Sequence, residues 1–260
     1  MKSALALAAL LLPACVEEPP AAPPPDPATR TDALQVMYLF DEGSGLDVHD
    51  RSGIEPAFDL QLDNLVTNRW IEGGGIEITG PSVITSVDVA EKVFVECVKA
   101  NAVSIELWIE PALATQDGPA TIFTYGKNDD RNVTLRQNGT RYRGSVMTSN
   151  PDPMAENGVE QTTETPTDRT AVAVQHVVYT RDVTGGNLYI DGADAIPPPD
   201  NPPTTPPETL DQSVWSPAYQ LAFGNNTNGG RPWLGKIYRA AVYAKKLTPA
   251  EISAKFTEGY

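Results

Sequence analysis

The chain has 260 residues, 40% of them hydrophobic and 20% charged, and a formal net charge of −15. An acidic chain with no basic cluster is a poor partner for nucleic acid or for an anionic membrane surface, so those classes are set aside. The acidity fits solubility outside the cytoplasm or the binding of cations.

The chain opens MKSALALAALLLPACVEEPP. The apolar run from Ala4 to Leu12 follows one cation, Lys2, and is far short of the roughly 20 apolar residues a bilayer-crossing helix needs. A short positive start, a brief apolar core and a small residue before a break describe a secretory signal, so residues 1–14 are excluded from the fold. Leu12-Pro13-Ala14-Cys15 resembles the lipobox of bacterial lipoproteins. That resemblance implies an acylated Cys15 as the first mature residue, and a place in the bacterial cell envelope with membrane contact through the lipid alone. Pro13 departs from the residue more usual there, and the alternative is an ordinary signal peptide with a chance cysteine. Residues 15–33, rich in proline, alanine and acid, have little to bury and form an extended tether. One domain, 34–260, remains.

Within that domain Gly and Pro recur every ten or so residues, between runs rich in Val, Ile, Thr, Tyr and Phe. This predicts an all-β sandwich or barrel. Leu34 to Phe40 is nearly all apolar, as in a strand covered on both faces. Gly75 to Ile78, Val83 to Val87 and Val103 to Ile109 are the next strands. In the last, Val103, Ile105, Leu107 and Ile109 share one face, and Ser104, Glu106 and Trp108 the other. Val89 to Lys99 is compatible with a helix or a strand, and Cys97 within it reads as a small buried apolar residue. Strands follow at Thr121 to Tyr125, Asn132 to Gln137 and Tyr142 to Met147. A long loop is expected from Ser149 to Arg169. Gln175 to Thr180 and Asn187 to Ile190 form a hairpin across Thr184-Gly185-Gly186, with a second tight turn at Asp191-Gly192. A proline-rich loop, Ile196 to Pro217, precedes strands at Tyr219 to Gly224 and Gly235 to Tyr243. Thr248, Pro249 and Glu251 in LTPAEISAKF are a capping box and first-turn proline that open a short C-terminal helix.

Five blocks, in order, resemble the bacterial laminin-G-like jelly rolls of the concanavalin A-like lectin/glucanase superfamily: YLFDEGSGLDVHDRSG, WIEGGGIEITGPSVIT, VSIELWIEP, QHVVYTRDVTGGNLYIDG and the closing LAFGNNTNGGRPWLGKIYRAAVYAKKLTPAEISAKFTEG. The resemblance spans 34–260 and implies two antiparallel sheets packed face to face in jelly-roll topology, one of them concave.

Candidate chemistry follows from these blocks. Glycoside hydrolases on this superfold place carboxylates two residues apart on one strand, so that acid and nucleophile share a cleft. Glu106 and Glu110 stand in that pattern, but Trp108 occupies the middle acid's position, which argues against an enzyme and for Glu106 as a structural hydrogen-bonding group. Neither His49 nor His176 has a nucleophile motif beside it. Asp41-Glu42-Gly43 and Asp47-x-x-Asp50 gather carboxylates at glycine turns, and calcium takes six to eight oxygens. Related jelly rolls hold a structural calcium there, which implies Asp41, Glu42 and Asp50 as ligands; the acid expected from the last long strand is here Tyr238. Trp215, Tyr219 and Trp233 with Asn225, Asn226, Asn228 and Arg231 offer aromatics and amides for stacking and hydrogen-bonding a sugar; the alternative is a rim loop with Trp233 closing the core. The whole reads as a lipid-anchored binding or adhesion module for a glycan or protein ligand. A polysaccharide-active enzyme and a structural envelope protein are the alternatives.

Overall fold

The computed structural model describes residues 33–150, 158–196 and 211–260. The signal segment, Cys15, residues 16–32 of the tether and parts of the two expected loops lie outside the described residues. Strands β1 (Leu34–Tyr38), β2 (Asp47–Val48), β3 (Leu60–Leu62), β4 (Asn68–Trp70), β5 (Ile76–Ile78) and β6 (Ile84–Ser86) come first, followed by helix α1 (Glu91–Ala100). Next are β7 (Val103–Pro111), β8 (Gln116–Lys127), β9 (Asp130–Gly139), β10 (Arg141–Thr148) and β11 (Val159–Glu164). The last are β12 (Gln175–Asp182), β13 (Gly185–Ile190), β14 (Ala193–Asp194), β15 (Gln220–Phe223), β16 (Gly235–Tyr243) and helix α2 (Pro249–Glu258).

They form two eight-stranded antiparallel sheets. The first runs β14-β13-β12-β7-β16-β5-β4, with β1 also on β16; the second runs β11-β10-β9-β8-β15-β6-β3-β2. Strand β16 serves two neighbours on one edge: Gly235 to Ile237 pair with β5, and Ala240 to Tyr243 with β1. A bulge at Tyr238 separates the two stretches, as the extra residue bends the strand from one partner to the other.

The core lies between the sheets. Val103, Ile105, Leu107 and Ile109 are all fully buried there, as their alternation predicts. Leu62, Ile84, Phe223, Phe123 and Leu135 form a continuous inner row across the second sheet. At the end of this row Gly144 faces Tyr179 of the first sheet so closely that a Cβ there would strike the ring. Only glycine fits at that approach.

The first sheet is covered on its outer face as well. Leu34, Val178, Tyr189, Ala241, Tyr243 and Leu247 pack there against Ile252 of α2. This explains why β1 is apolar on both faces. The helix starts with the expected capping box, Thr248 Oγ1 accepting from Glu251 N and Glu251 Oε2 from Thr248 N. The ambiguous segment before β7 is helical, with Val93 and Cys97 buried and Asn101 closing it in the left-handed conformation at φ 49°. Within the expected long loop, Val159–Glu164 instead adds an edge strand to the second sheet. Its polar sequence, VEQTTE, carries no apolar periodicity. Among the described residues no helix is long and apolar enough to cross a membrane.

Candidate functional site

The outer row of β7 is occupied by internal contacts. Glu106 is fully buried; its Oε1 lies 3.1 Å from His176 Nε2 and its Oε2 accepts from Tyr243 Oη at 2.5 Å. Burial alone would raise this carboxyl, but those partners, with Arg239 and Lys255 nearby, hold it down at about 2. A group ionised so strongly is a poor proton donor near neutrality. Trp108 stacks on His176 at 4.7 Å and on Phe256 of α2 at 5.8 Å. Glu110 is engaged by Lys236 at 3.0 Å and by the Tyr238 hydroxyl at 2.9 Å. Tyr238, where an acid would complete a calcium shell, thus donates to a carboxylate instead.

The three acids of the opening loop do not converge. The Asp50 side chain is buried, and its two oxygens accept from the backbone N–H groups of Met37, Ser52 and Phe58 and from Lys92 Nζ. Lys92 donates to Asp50 Oδ2 at 2.7 Å, to the Ile54 carbonyl at 2.8 Å and to the Pro56 carbonyl at 2.7 Å. Its three protons are therefore all used. Asp41 pairs with Arg51 at 3.1 Å, and Glu42 Oε1 accepts from His49 N. Glu42 Oε2 is buried without a partner, but one oxygen is far from a calcium shell. Among the described residues no group of three or more metal-ligating side chains is assembled. Among the described residues Asp41, Glu42 and Asp50 are thus not brought together as a ligand set, and the cation that Asp50 meets is the Lys92 ammonium, delivered by α1.

The aromatic candidates also move. Trp233 is fully buried, with its indole N–H on Gln137 Oε1 at 3.0 Å, and Trp215 is buried against Tyr125, with its N–H on the Met147 carbonyl. Neither can stack a sugar. Asn225 and Asn226 are buried as well, and they shape their own loop. Asn225 Oδ1 accepts from Arg231 N at 2.7 Å, and Asn226 Oδ1 from Gly230 N at 2.8 Å. Asn226, Asn228 and Arg231 side chains reach Asp129 on the β8–β9 turn. Tyr219 alone of the three aromatics lines a surface groove, of about 430 Å³, with Arg131, Asn132, Met147 and Glu160 among its walls.

That groove borders the outer face of the second sheet, which sequence reasoning did not single out. Register places Asp47, Gln61, Thr85, Ala222, Thr124, Thr134, Ser145 and Thr162 side by side, one from each strand. All but Ala222 can hydrogen-bond. A neighbouring row holds Thr121, Arg136, Arg143 and Glu164. The Thr121 and Thr134 hydroxyls and Arg136 Nε are buried without a hydrogen-bond partner. The usable signal was alternation: Val133 and Leu135 face in, so Thr134 and Arg136 face out. A second hollow, of about 570 Å³ and more apolar, lies beside α1 between Leu34, Ile54, Pro56 and Val95.

The family model Laminin_G_3, described as the concanavalin A-like lectin/glucanases superfamily, matches residues 85–253. No curated protein sequence is significantly similar to the chain. Several solved structures share its fold. The binding domain of botulinum neurotoxin DC in complex with rat synaptotagmin II has 16% identity and a TM-score of 0.58, over 87% of this chain and 52% of that one. The same toxin's binding domain in complex with SialylT has 14% identity and a TM-score of 0.56, over 87% and 51%. A Trypanosoma rangeli sialidase in complex with 2,3-difluorosialic acid has 14% identity and a TM-score of 0.55, over 87% and 33%. The chain thus spans about half the length of the toxin domains. With two antiparallel sheets in place and a family match over most of the chain, this protein belongs to the concanavalin A-like lectin/glucanase superfamily, as a laminin-G-like domain.

Proposed function

We propose that this protein is a binding module that takes a glycan on the outer face of its second sheet. The observation that carries this is the row of hydroxyl, amide and carboxylate side chains across eight strands, exposed at Asp47, Gln61 and Thr162, half-buried at Thr85 and buried at Thr124, Thr134 and Ser145, with the Tyr219 groove at its border. Sugars are recognised by many hydrogen bonds made at once with an aromatic beside them, and this is the face that offers both. The other sheet's outer face is taken up by α2. Structural relatives bound to SialylT and to synaptotagmin support a glycan or protein ligand in general; the hydroxyl row favours the glycan. The sialidase relative supports a hydrolase reading only weakly, since Glu106 and Glu110 are engaged by neighbours of their own.

Display from a bacterial envelope through a lipid on Cys15 belongs to the same proposal and rests on the sequence of residues 12–15. The test is a glycan array probed with the purified protein and with Thr162→Arg, a change at an exposed position of the row. Binding by wild type that is lost in the variant is expected. A wild type that binds no glycan, or a variant that binds as well, contradicts the proposal. Release of shortened glycans from the array would favour the hydrolase.

A further inference from the structure

Four arginines around the second sheet's outer face have carboxylate partners, and a fifth, Arg136, has none in contact. Arg131 Nη2 meets Glu160 Oε2 at 2.7 Å. Arg141 Nη1 lies 3.0 Å and Arg143 Nε 3.5 Å from the two oxygens of Glu164. Arg231 Nε lies 3.4 Å from Asp129 Oδ1. Arg136 sits among these arginines, 5% exposed; its Nε is buried without a hydrogen-bond partner, and among the described residues no carboxylate lies within 4 Å of its guanidinium. Burial, reinforced by Arg131, Arg231 and Arg143 and opposed by Glu160, lowers its guanidinium to about 10. It therefore stays charged at neutral pH.

A buried charge with no counter-ion in contact is costly, and a protein normally pairs or neutralises it. Two features here are specific to this site. Thr121 is the direct cross-strand partner of Arg136, and Thr134 lies two residues before it on the same face. Both hydroxyls are buried and unpartnered. A fork of N–H donors flanked by two free O–H donors matches one planar anion, since guanidinium binds carboxylate through two parallel hydrogen bonds.

We propose that Arg136, with Thr121 and Thr134, holds the carboxylate of an acidic sugar, so that the ligand is a glycan with a carboxyl group rather than a neutral one. This rests on the binding-module reading above and adds the chemical class of the ligand.

The test compares oligogalacturonate and sialyllactose, each as the free acid and as its methyl ester, by calorimetric titration of the full chain. One of the two acids should bind at least tenfold more tightly than its ester, and which one identifies the sugar. In Arg136→Gln the preference should vanish, and Arg136→Lys should restore only part of it. If Arg136→Gln does not fold, the Arg136 Nε–H resonance of wild type decides: it should shift with the acid and not with the ester. Equal affinity for acid and ester, a preference that survives in a folded Arg136→Gln, or an unmoved resonance overturns the proposal. Binding of neutral glycans alone overturns it and leaves the binding module standing, whereas failure to bind any glycan removes the reading beneath it.

Discussion

Arg136 and Arg143 face each other across the β9–β10 pair, and only Arg143 has a carboxylate within 4 Å among the described residues. The asymmetry has a stability consequence apart from any ligand. Removing a buried charge that has no partner relieves its desolvation cost, while removing the partner of a paired charge exposes one. Arg136→Gln should leave stability unchanged within about 0.5 kcal/mol or raise it, by urea denaturation without ligand. Glu164→Gln, which deprives Arg141 and Arg143 together, should lower it. The reverse order would mean that Arg136 is already compensated.

The opening loop should depend on α1 through one ammonium. Lys92 is the shared donor to Asp50 and to two backbone carbonyls, and both side chains of the ion pair are largely buried. Breaking such a pair from one side costs about 3–5 kcal/mol, which for a domain of this size is a fall of on the order of 10 °C in Tm. Lys92→Met should show that loss in a thermal scan. A change of under about 2 °C, well below what the broken pair should cost, would show that the loop is held by its backbone bonds alone.

Acid should weaken the fold through Glu106 and Glu251, both held at about 2. Burial opposes the shift in each; His176, Arg239 and Tyr243 outweigh it at Glu106, and Lys245 and Thr248 at Glu251. A carboxyl whose pKa is lower in the folded chain than in the unfolded one, near 4.3, stabilises fully above the unfolded value. That contribution is lost as pH falls from about 4.5 toward 2. Denaturation midpoints measured across this window should decline, and Glu106→Gln should be less stable at pH 7 and decline less steeply. Parallel pH profiles for the two proteins would exclude Glu106 as a source.

The parts of this molecule legible in its sequence are those set by local pattern. The alternation of Val103 to Ile109, the glycine hairpin after β12 and the Thr248–Glu251 cap each depend on residues a few positions apart. The site was not legible because its terms are long-range. Asp50 resembles a metal ligand until Lys92, 42 positions away, is seen to donate to it. Trp233 could stack a sugar or close the core, and only Gln137, 96 positions away and accepting its N–H inside the core, decides for the second. Strand β11 is polar after Val159, so nothing but its pairing with β10 marks it. Alternation puts Arg136 on an outward face, yet its lack of a counter-ion appears only once the register sets Glu160 and Glu164 beside other arginines.

The anchor proposed for Cys15 calls for its own measurement. Intact-mass analysis of the protein from its native membrane should find an acylated Cys15 as the first residue. An unmodified chain that begins elsewhere would leave the Leu12-Pro13-Ala14-Cys15 sequence as a coincidence.

Titration of the tightest-binding array glycan into three proteins tests the binding face most directly. Wild type is compared with Thr162→Arg on the outer row of the second sheet and with Val95→Arg, an exposed α1 position beside the apolar hollow. Glycan binding on the second sheet predicts an affinity at least tenfold weaker in Thr162→Arg and unchanged in Val95→Arg. Loss of affinity in Val95→Arg alone would move the ligand to α1 and contradict the account.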